Sequence, residues 1–150
     1  MADLEAKLLA MREKNIGRLF QRAARSYSER AVTLLHERGF GDISLFHTAL
    51  ISNLEMTGTR ITTLADRAGV SKQAMGQLAK ELEEKGYVER IKDPNDNRAS
   101  LLRFTDMGKN ALQAAYEVKL AIESEYAALM GEKKVAILRS LLEEVVTEIT

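Results

Sequence analysis

The stretch Leu64-Ala65-Asp66-Arg67-Ala68-Gly69-Val70-Ser71-Lys72-Gln73-Ala74-Met75-Gly76-Gln77-Leu78-Ala79-Lys80 reads as two short helices joined by Ala68-Gly69-Val70-Ser71. Leu64, Ala65 and Ala68 fall on one face of the first, which Thr62 or Thr63 can cap and Gly69 ends. Ser71 offers an N-cap oxygen to the second. There Met75, Leu78, Ala79 and Leu82 keep helical spacing until Lys85-Gly86 stops the run. Its outward face carries Lys72, Gln73, Gly76, Gln77 and Lys80, with no acid before Glu81. Two short helices in this arrangement form a helix-turn-helix, whose second helix enters the major groove of DNA. Amides four residues apart, as at Gln73 and Gln77, can pair with adenine edges, and Lys72 and Lys80 can neutralise flanking phosphates. A solvated helix face carries the same residues, so the neighbouring sequence decides between the two.

Beyond Gly86 the helical period gives way to two strand-like runs, Tyr87 to Lys92 and Leu101 to Phe104. The connection, Asp93-Pro94-Asn95-Asp96-Asn97-Arg98, is made of turn formers and predicts a projecting hairpin loop. An arginine on such a loop, here Arg98, can enter the adjacent minor groove. Asp96 would then hold the guanidinium or the loop in place; its plainer reading is a turn-stabilising aspartate. Together these residues predict a mainly α chain with a small β-hairpin wing.

Helical stripes flank this module. Leu4, Leu8, Met11, Ile16, Leu19, Ala23, Tyr27 and Leu34 predict one long helix, or two with a joint near Gly17, ending at Gly39-Phe40-Gly41. Asp42 or Ser44 then caps a helix through Leu45, Thr48, Ala49, Ile51 and Leu54, stopped by Thr57-Gly58-Thr59. Thr105 caps a longer one with Leu112, Ala115, Ile122, Tyr126 and Leu129 inward. After Gly131, Val135, Leu138, Leu142, Val145 and Ile149 follow a strict 3,4,3,4 spacing, a narrow apolar seam. The expected division is 1–38 for an N-terminal helical part, 39–105 for the winged helix-turn-helix and 106–150 for C-terminal helices. The outer stripes exceed what the small winged module covers. A homodimer formed through Leu8, Val135, Leu138, Leu142, Val145 and Ile149 is the expected way to bury them.

Composition narrows the function classes. Of 150 residues 45% are apolar, with nine Gly and one Pro, a helix-rich globular profile. Basic and acidic side chains number 22 each, so only their distribution bears on nucleic acid. Residues 1–38 carry a net +3, 57–110 a net +2 and 111–150 a net −3. Without cysteine, thiolate metal sites and thiol redox switches are excluded. Two histidines, His36 and His47, make no metal site, and no metal or cofactor is expected. No stretch approaches a membrane span or a signal core, and the chain reads as cytoplasmic. No Ser-His-Asp order, phosphate-cradling glycine loop or carboxylate pair points to an enzyme.

The runs Leu64 to Lys72, Leu82 to Arg90, Asp93 to Arg98 and Phe104-Thr105-Asp106-Met107-Gly108, in that order and spacing, resemble the MarR family of bacterial regulators. The resemblance implies a two-fold dimer on a palindromic operator, acting most commonly as a repressor. It places a recognition helix (Ser71, Lys72, Gln73, Gly76, Gln77, Lys80) in the major groove and a wing (Asp96, Asn97, Arg98) at the minor groove. It also implies a small aromatic or anionic effector bound between the dimer helices and the DNA-binding lobe. Tyr27, Phe46, His47 and Tyr116 are read as core, and no effector site is assigned. The chain departs from the family at Gly76 and Gln77, where relatives commonly carry a hydroxyl residue and an arginine, and at Asn97, which replaces a frequent charged residue. A different operator is expected to follow. The alternative is a winged helix that binds protein and no DNA, which the zero net charge would suit.

Overall fold

A computed structural model describes residues 2–149 and, among them, the side chains of residues 3–148. The side chain of Ile149, the expected end of the apolar seam, lies outside that range. Seven helices and one hairpin run in the order α1 (Ala2–Glu13), α2 (Ile16–Glu37), α3 (His47–Ile51), α4 (Ile61–Ala68), α5 (Lys72–Glu84), β1 (Val88–Asp93), β2 (Asp96–Phe104), α6 (Asp106–Met130) and α7 (Glu132–Ile149). The N-terminal stripe is two helices. Asn15 adopts an extended conformation and its side chain accepts the Arg18 N–H, so the joint is a fresh N-cap just before Gly17.

The helix expected from Leu45 to Leu54 is shorter than its apolar pattern. Thr48 Oγ1 donates to the Leu45 carbonyl at 2.5 Å, Ser52 Oγ to Thr48 at 2.6 Å and Asn53 Nδ2 to Ala49 at 2.8 Å. Side chains that bond nearby carbonyls compete with the helical ladder and confine α3 to five residues. Asp42 is no cap; it accepts from the Tyr87 hydroxyl at 2.5 Å. Ser44 Oγ accepts the His47 N–H at 3.4 Å, but the N-cap position itself is Phe46. Nor do Thr62 or Thr63 cap α4. Thr59 exchanges two 2.9 Å backbone bonds with Leu102 at the hairpin edge, so the chain leaves the sheet at Arg60 and turns directly into the helix.

The helix-turn-helix signals hold. Gly69 closes α4 in the left-handed conformation at φ 66°, and Ser71 Oγ accepts the Ala74 N–H at 3.1 Å to start α5. Gly86, at φ 83°, ends the following turn and feeds β1. The hairpin is antiparallel, Val88 opposite Phe104 and Ile91 opposite Leu101, with the register shifting between Lys92 and Asp93. Its loop is tighter than expected: β2 begins at Asp96, leaving only Pro94 and Asn95 as the turn. Asp93 Oδ1 accepts the Asn95 N–H at 2.9 Å, an Asx turn that closes the chain early.

Thr105 caps α6 as expected, its hydroxyl accepting the Gly108 N–H at 3.1 Å and donating to the Gly86 carbonyl at 2.5 Å. Its own N–H donates to Tyr87 O at 3.1 Å. The buried face of α6 is Ala111, Ala114, Val118 and Ile122. Of the expected inward set Ile122 is buried, Leu112, Ala115 and Tyr126 are half-buried, and Leu129 is 80% exposed. Leu112, Ala115 and Tyr126 pack against the core from the edge of the stripe, whose centre is held by small alanines that let α6 approach its neighbours closely. A single core runs from Leu34 of α2 through Ile43, Leu50, Leu64, Met75, Leu82 and Leu102 to Ile122 of α6.

Candidate nucleic-acid interface

The buried face of α5, Met75, Ala79 and Leu82, seats the helix on the core and turns Lys72, Gln73, Gln77 and Lys80 to solvent. Ser71 is exposed at its N-terminus, and Gly76 is half-exposed with nothing within 4 Å of where a Cβ would sit. The face is therefore open to a groove along its length. Lys80 lies 3.9 Å from Glu84, a loose exposed pair; Lys72 has no acidic partner among the described residues. Gln77 is engaged: its amide donates to Glu81 Oε1 at 2.9 Å. The other carboxylate oxygen of Glu81 accepts from His47 Nε2 at 2.9 Å. Donation first from Gln77 and then from His47 holds the Glu81 carboxyl below the usual carboxylate range.

The wing is anchored from its base. Asp93, 4% exposed, accepts from Arg60 Nε at 2.8 Å and Nη2 at 2.5 Å. The Asn95 N–H, followed by the Arg60 guanidinium, keeps the Asp93 carboxyl below its ordinary range. Arg60 Nη2 also lies 3.6 Å from Asp96 Oδ2. Asp96 Oδ1 accepts the backbone N–H of Arg98 at 3.0 Å, so of its two expected tasks it performs the second, holding the loop. The Arg98 side chain is exposed and has no acidic partner among the described residues, and Asn97 is exposed beside it. Arg90 ties the hairpin to Glu83 of α5 at 3.1 Å, and Arg103 pairs across the strands with Glu89 at 2.7 Å. The exposed face of α5 and the wing tip thus stand on one braced unit.

Residues 42–99 match the model of the MarR family. Over those residues the chain is similar to that family of transcription regulators. Two similar proteins from Bacillus subtilis (strain 168) are uncharacterized HTH-type transcriptional regulators. YkoM is 27% identical over 129 residues, covering 82% of this chain and 79% of its own. YxaD is 29% identical over 112 residues, covering 73% and 78%. Wild-type MarR from E. coli in its apo form superposes with a TM-score of 0.73 at 24% identity, covering 87% of this chain and 96% of that one. The PcaV transcriptional regulator from Streptomyces coelicolor, in complex with its natural ligand, gives 0.67 at 19% identity, covering 92% and 96%. The fold is the MarR-type winged helix-turn-helix.

Against this MarR frame, the residues expected at the outer helices are solvent-facing in the single chain. Leu8 is 55% exposed, Leu138 41%, Leu142 40% and Val145 39%, and Val135 is half-buried. Two residues read as core are not: Phe46 is 74% and Tyr116 58% exposed. The buried side of α3 is His47, Leu50 and Ile51, which leaves Phe46 on the other side, and Tyr116 falls outside the alanine face of α6. Lys119 Nζ instead lies 4.8 Å over the Tyr116 ring. Tyr27 is half-buried and lines a cavity of about 190 Å³ between α2, α3 and α6, with Leu35, Ile51, Ala115 and Lys119. No group of three or more potential metal ligands occurs among the described residues, and no helix among them is long and apolar enough to cross a membrane. The sequence missed Arg60 and Asp93, which lie 33 residues apart with no local pattern linking them.

Proposed function

We propose that the protein is a sequence-specific double-stranded DNA-binding transcription regulator, acting as a homodimeric repressor on a palindromic operator under the control of a small effector. The observation that carries this reading is the shared presentation of the α5 face and the unpaired Arg98, braced through Arg90–Glu83 and Arg60–Asp93. Lys72, Lys80 and Arg98 supply phosphate and minor-groove contacts, while Gln73 and Gln77 supply base-edge hydrogen bonds. Ser71 and the α5 N-terminus, Gly76, Asp96 and Asn97 complete the contacting surface of the lobe 39–105.

A partner chain covers the outer helices. Leu8, Leu9 and Met11 of α1 and Ile137, Leu138, Leu141, Leu142 and Val145 of α7 form exposed apolar faces that a soluble monomer rarely keeps. Residues 1–38 and 106–150 make that dimer region, with Arg30–Glu125 at 2.6 Å and Arg139–Glu123 at 2.8 Å fastening α2 to α6 and α6 to α7. The effector, a small aromatic or anionic molecule, occupies the cavity beside Tyr27 and Lys119. Its volume, about 190 Å³, exceeds the ~150 Å³ known to admit benzene, and Lys119 offers a cation to an acid group. A ligand-bound relative, PcaV, is consistent with such control.

Selection from random duplexes, followed by affinity measurements on the winning sequence across a salt series, tests the reading. A palindrome with half-sites about one turn, ~34 Å, apart and a steep salt slope is the expected result. No enrichment by a folded protein would refute it in favour of a winged helix that binds protein.

A further inference from the structure

Glu81 stands one helical turn after Gln77, and its two oxygens serve different partners: Oε1 accepts from Gln77 and Oε2 from His47, both at 2.9 Å. His47 is 3% exposed and comes from α3, 34 residues away. Its second ring nitrogen, Nδ1, accepts the Ser44 N–H at 3.0 Å. A backbone N–H only donates, so Nδ1 carries no proton and the neutral ring bears its hydrogen on Nε2, directed at the carboxylate. An exposed Gln–Glu pair four apart on a helix is too weak to hold one side-chain conformation. With a buried imidazole gripping the other oxygen, the carboxylate is fixed in place.

That grip has a consequence for base reading. An ionised carboxylate accepts and never donates, so Gln77 turns its NH₂ toward Glu81 and commits one N–H there. One N–H and the carbonyl oxygen remain. Adenine presents an acceptor at N7 and a donor at N6 in the major groove, whereas guanine presents two acceptors, N7 and O6. The groups left on Gln77 match adenine and fall one donor short of guanine. We infer that His47, acting through Glu81, is a positioning residue that makes Gln77 a reader of adenine and sets the protein against guanine at that base pair. The inference rests on the assignment of α5 as the recognition helix.

The test compares affinity for the selected operator with affinity for the same duplex carrying G·C in place of A·T at the position whose preference Gln77→Ala abolishes. Wild type should discriminate by about tenfold or more, the range of one good bidentate pair. His47→Leu should reduce the ratio to that of Gln77→Ala and have no added effect on it in the Gln77→Ala background. His47→Gln, which can still donate to Glu81, should restore part of the ratio. Glu81→Ala, at a half-exposed position, gives the same readout should His47→Leu fail to fold; removal of its charge raises affinity for both duplexes and cancels in the ratio. Discrimination retained by a folded His47→Leu protein, or by Glu81→Ala should His47→Leu fail to fold, would overturn the inference and leave DNA binding standing. So would a Gln77→Ala protein with unaltered base preference. A wild type without any sequence preference would sink the DNA-binding reading, and this inference with it.

Discussion

Glycine-to-alanine exchange at positions 76 and 108 should change stability in opposite directions, though both lie in helices. In a helix interior, alanine is favoured over glycine by about 0.8–1 kcal/mol, mainly because it restricts the unfolded chain. At Gly76, in the middle of α5, an added Cβ meets nothing within 4 Å, so the whole gain should appear. For a chain of this size that is a melting point about 2–4 °C higher. Gly108 is the third residue of α6, and the same Cβ would overlap the Tyr87 carbonyl oxygen and come within 3.1 Å of Phe104 Cδ1. The first obstacle is backbone, which cannot swing aside. Overpacking of this kind costs about 1–3 kcal/mol, and displacing Tyr87 O from the Thr105 N–H adds about 1 kcal/mol. The steric cost exceeds the propensity gain, for a net loss of about 1–3 kcal/mol. Thermal and urea unfolding of both variants at one fixed protein concentration measures this, since a dimer's stability depends on concentration. A Gly108→Ala protein as stable as wild type would refute the close seating of α6 on the hairpin base.

Other outcomes follow from the wing, the outer helices and the Arg60–Asp93 pair. Arg98→Ala should weaken operator binding and lower the salt slope by about one ion while sedimentation still reports a dimer; unchanged affinity at moderate salt would remove the wing from the interface. Leu142→Asp places a charge on an apolar face that the proposed partner covers, so sedimentation should give monomers and tight operator binding should vanish; a monomeric wild type would already contradict the dimer. Because the folded-state pKa of Asp93 is lowered, its ionised form stabilises the fold fully above the ordinary value of 3.8, and that stabilisation is lost as pH falls through the lowered value. The stability gap between wild type and Asp93→Asn should therefore narrow below pH 3.8 in unfolding titrations; a gap constant to the lowest pH would show that the carboxylate charge contributes nothing.

What was legible in the sequence was whatever local chemistry dictates. Ser71 and Thr105 are N-caps, Gly69 is a left-handed helix end, and the change of period after Gly86 marks the hairpin, each decided within about four residues of chain. What eluded reading depends on distant partners. The start of α4 is set by the bridge between Thr59 and Leu102, not by the hydroxyls of Thr62 or Thr63. Asp93 looked like one turn former among several because its partner Arg60 lies on another element. His47 looked like an ordinary core histidine; its link to Glu81 appears only once α3 packs on α5. On α6 the expected inward residues Leu112, Ala115, Ile122 and Tyr126 do reach the core and only Leu129 does not; Ala111 and Ala114, at the centre of the buried face, carry too little apolar bulk to stand out in the sequence.

The hydroxyl of Thr105, bonded at once to Gly86 after α5 and to Gly108 at the start of α6, sits where two arms of unequal length meet. From it α6 extends 25 residues toward the outer helices, about 37 Å, and α5 extends 13 residues toward its exposed N-terminus, about 20 Å. When both arms turn together about that point, a 3 Å shift at the far tip of α6 becomes a tilt of about 5° and moves the tip of α5 by roughly 1.6 Å. A rotation of that kind would halve a displacement on its way to the N-terminal end of α5, so that a coarse rearrangement at one extremity would become a fine adjustment at the other.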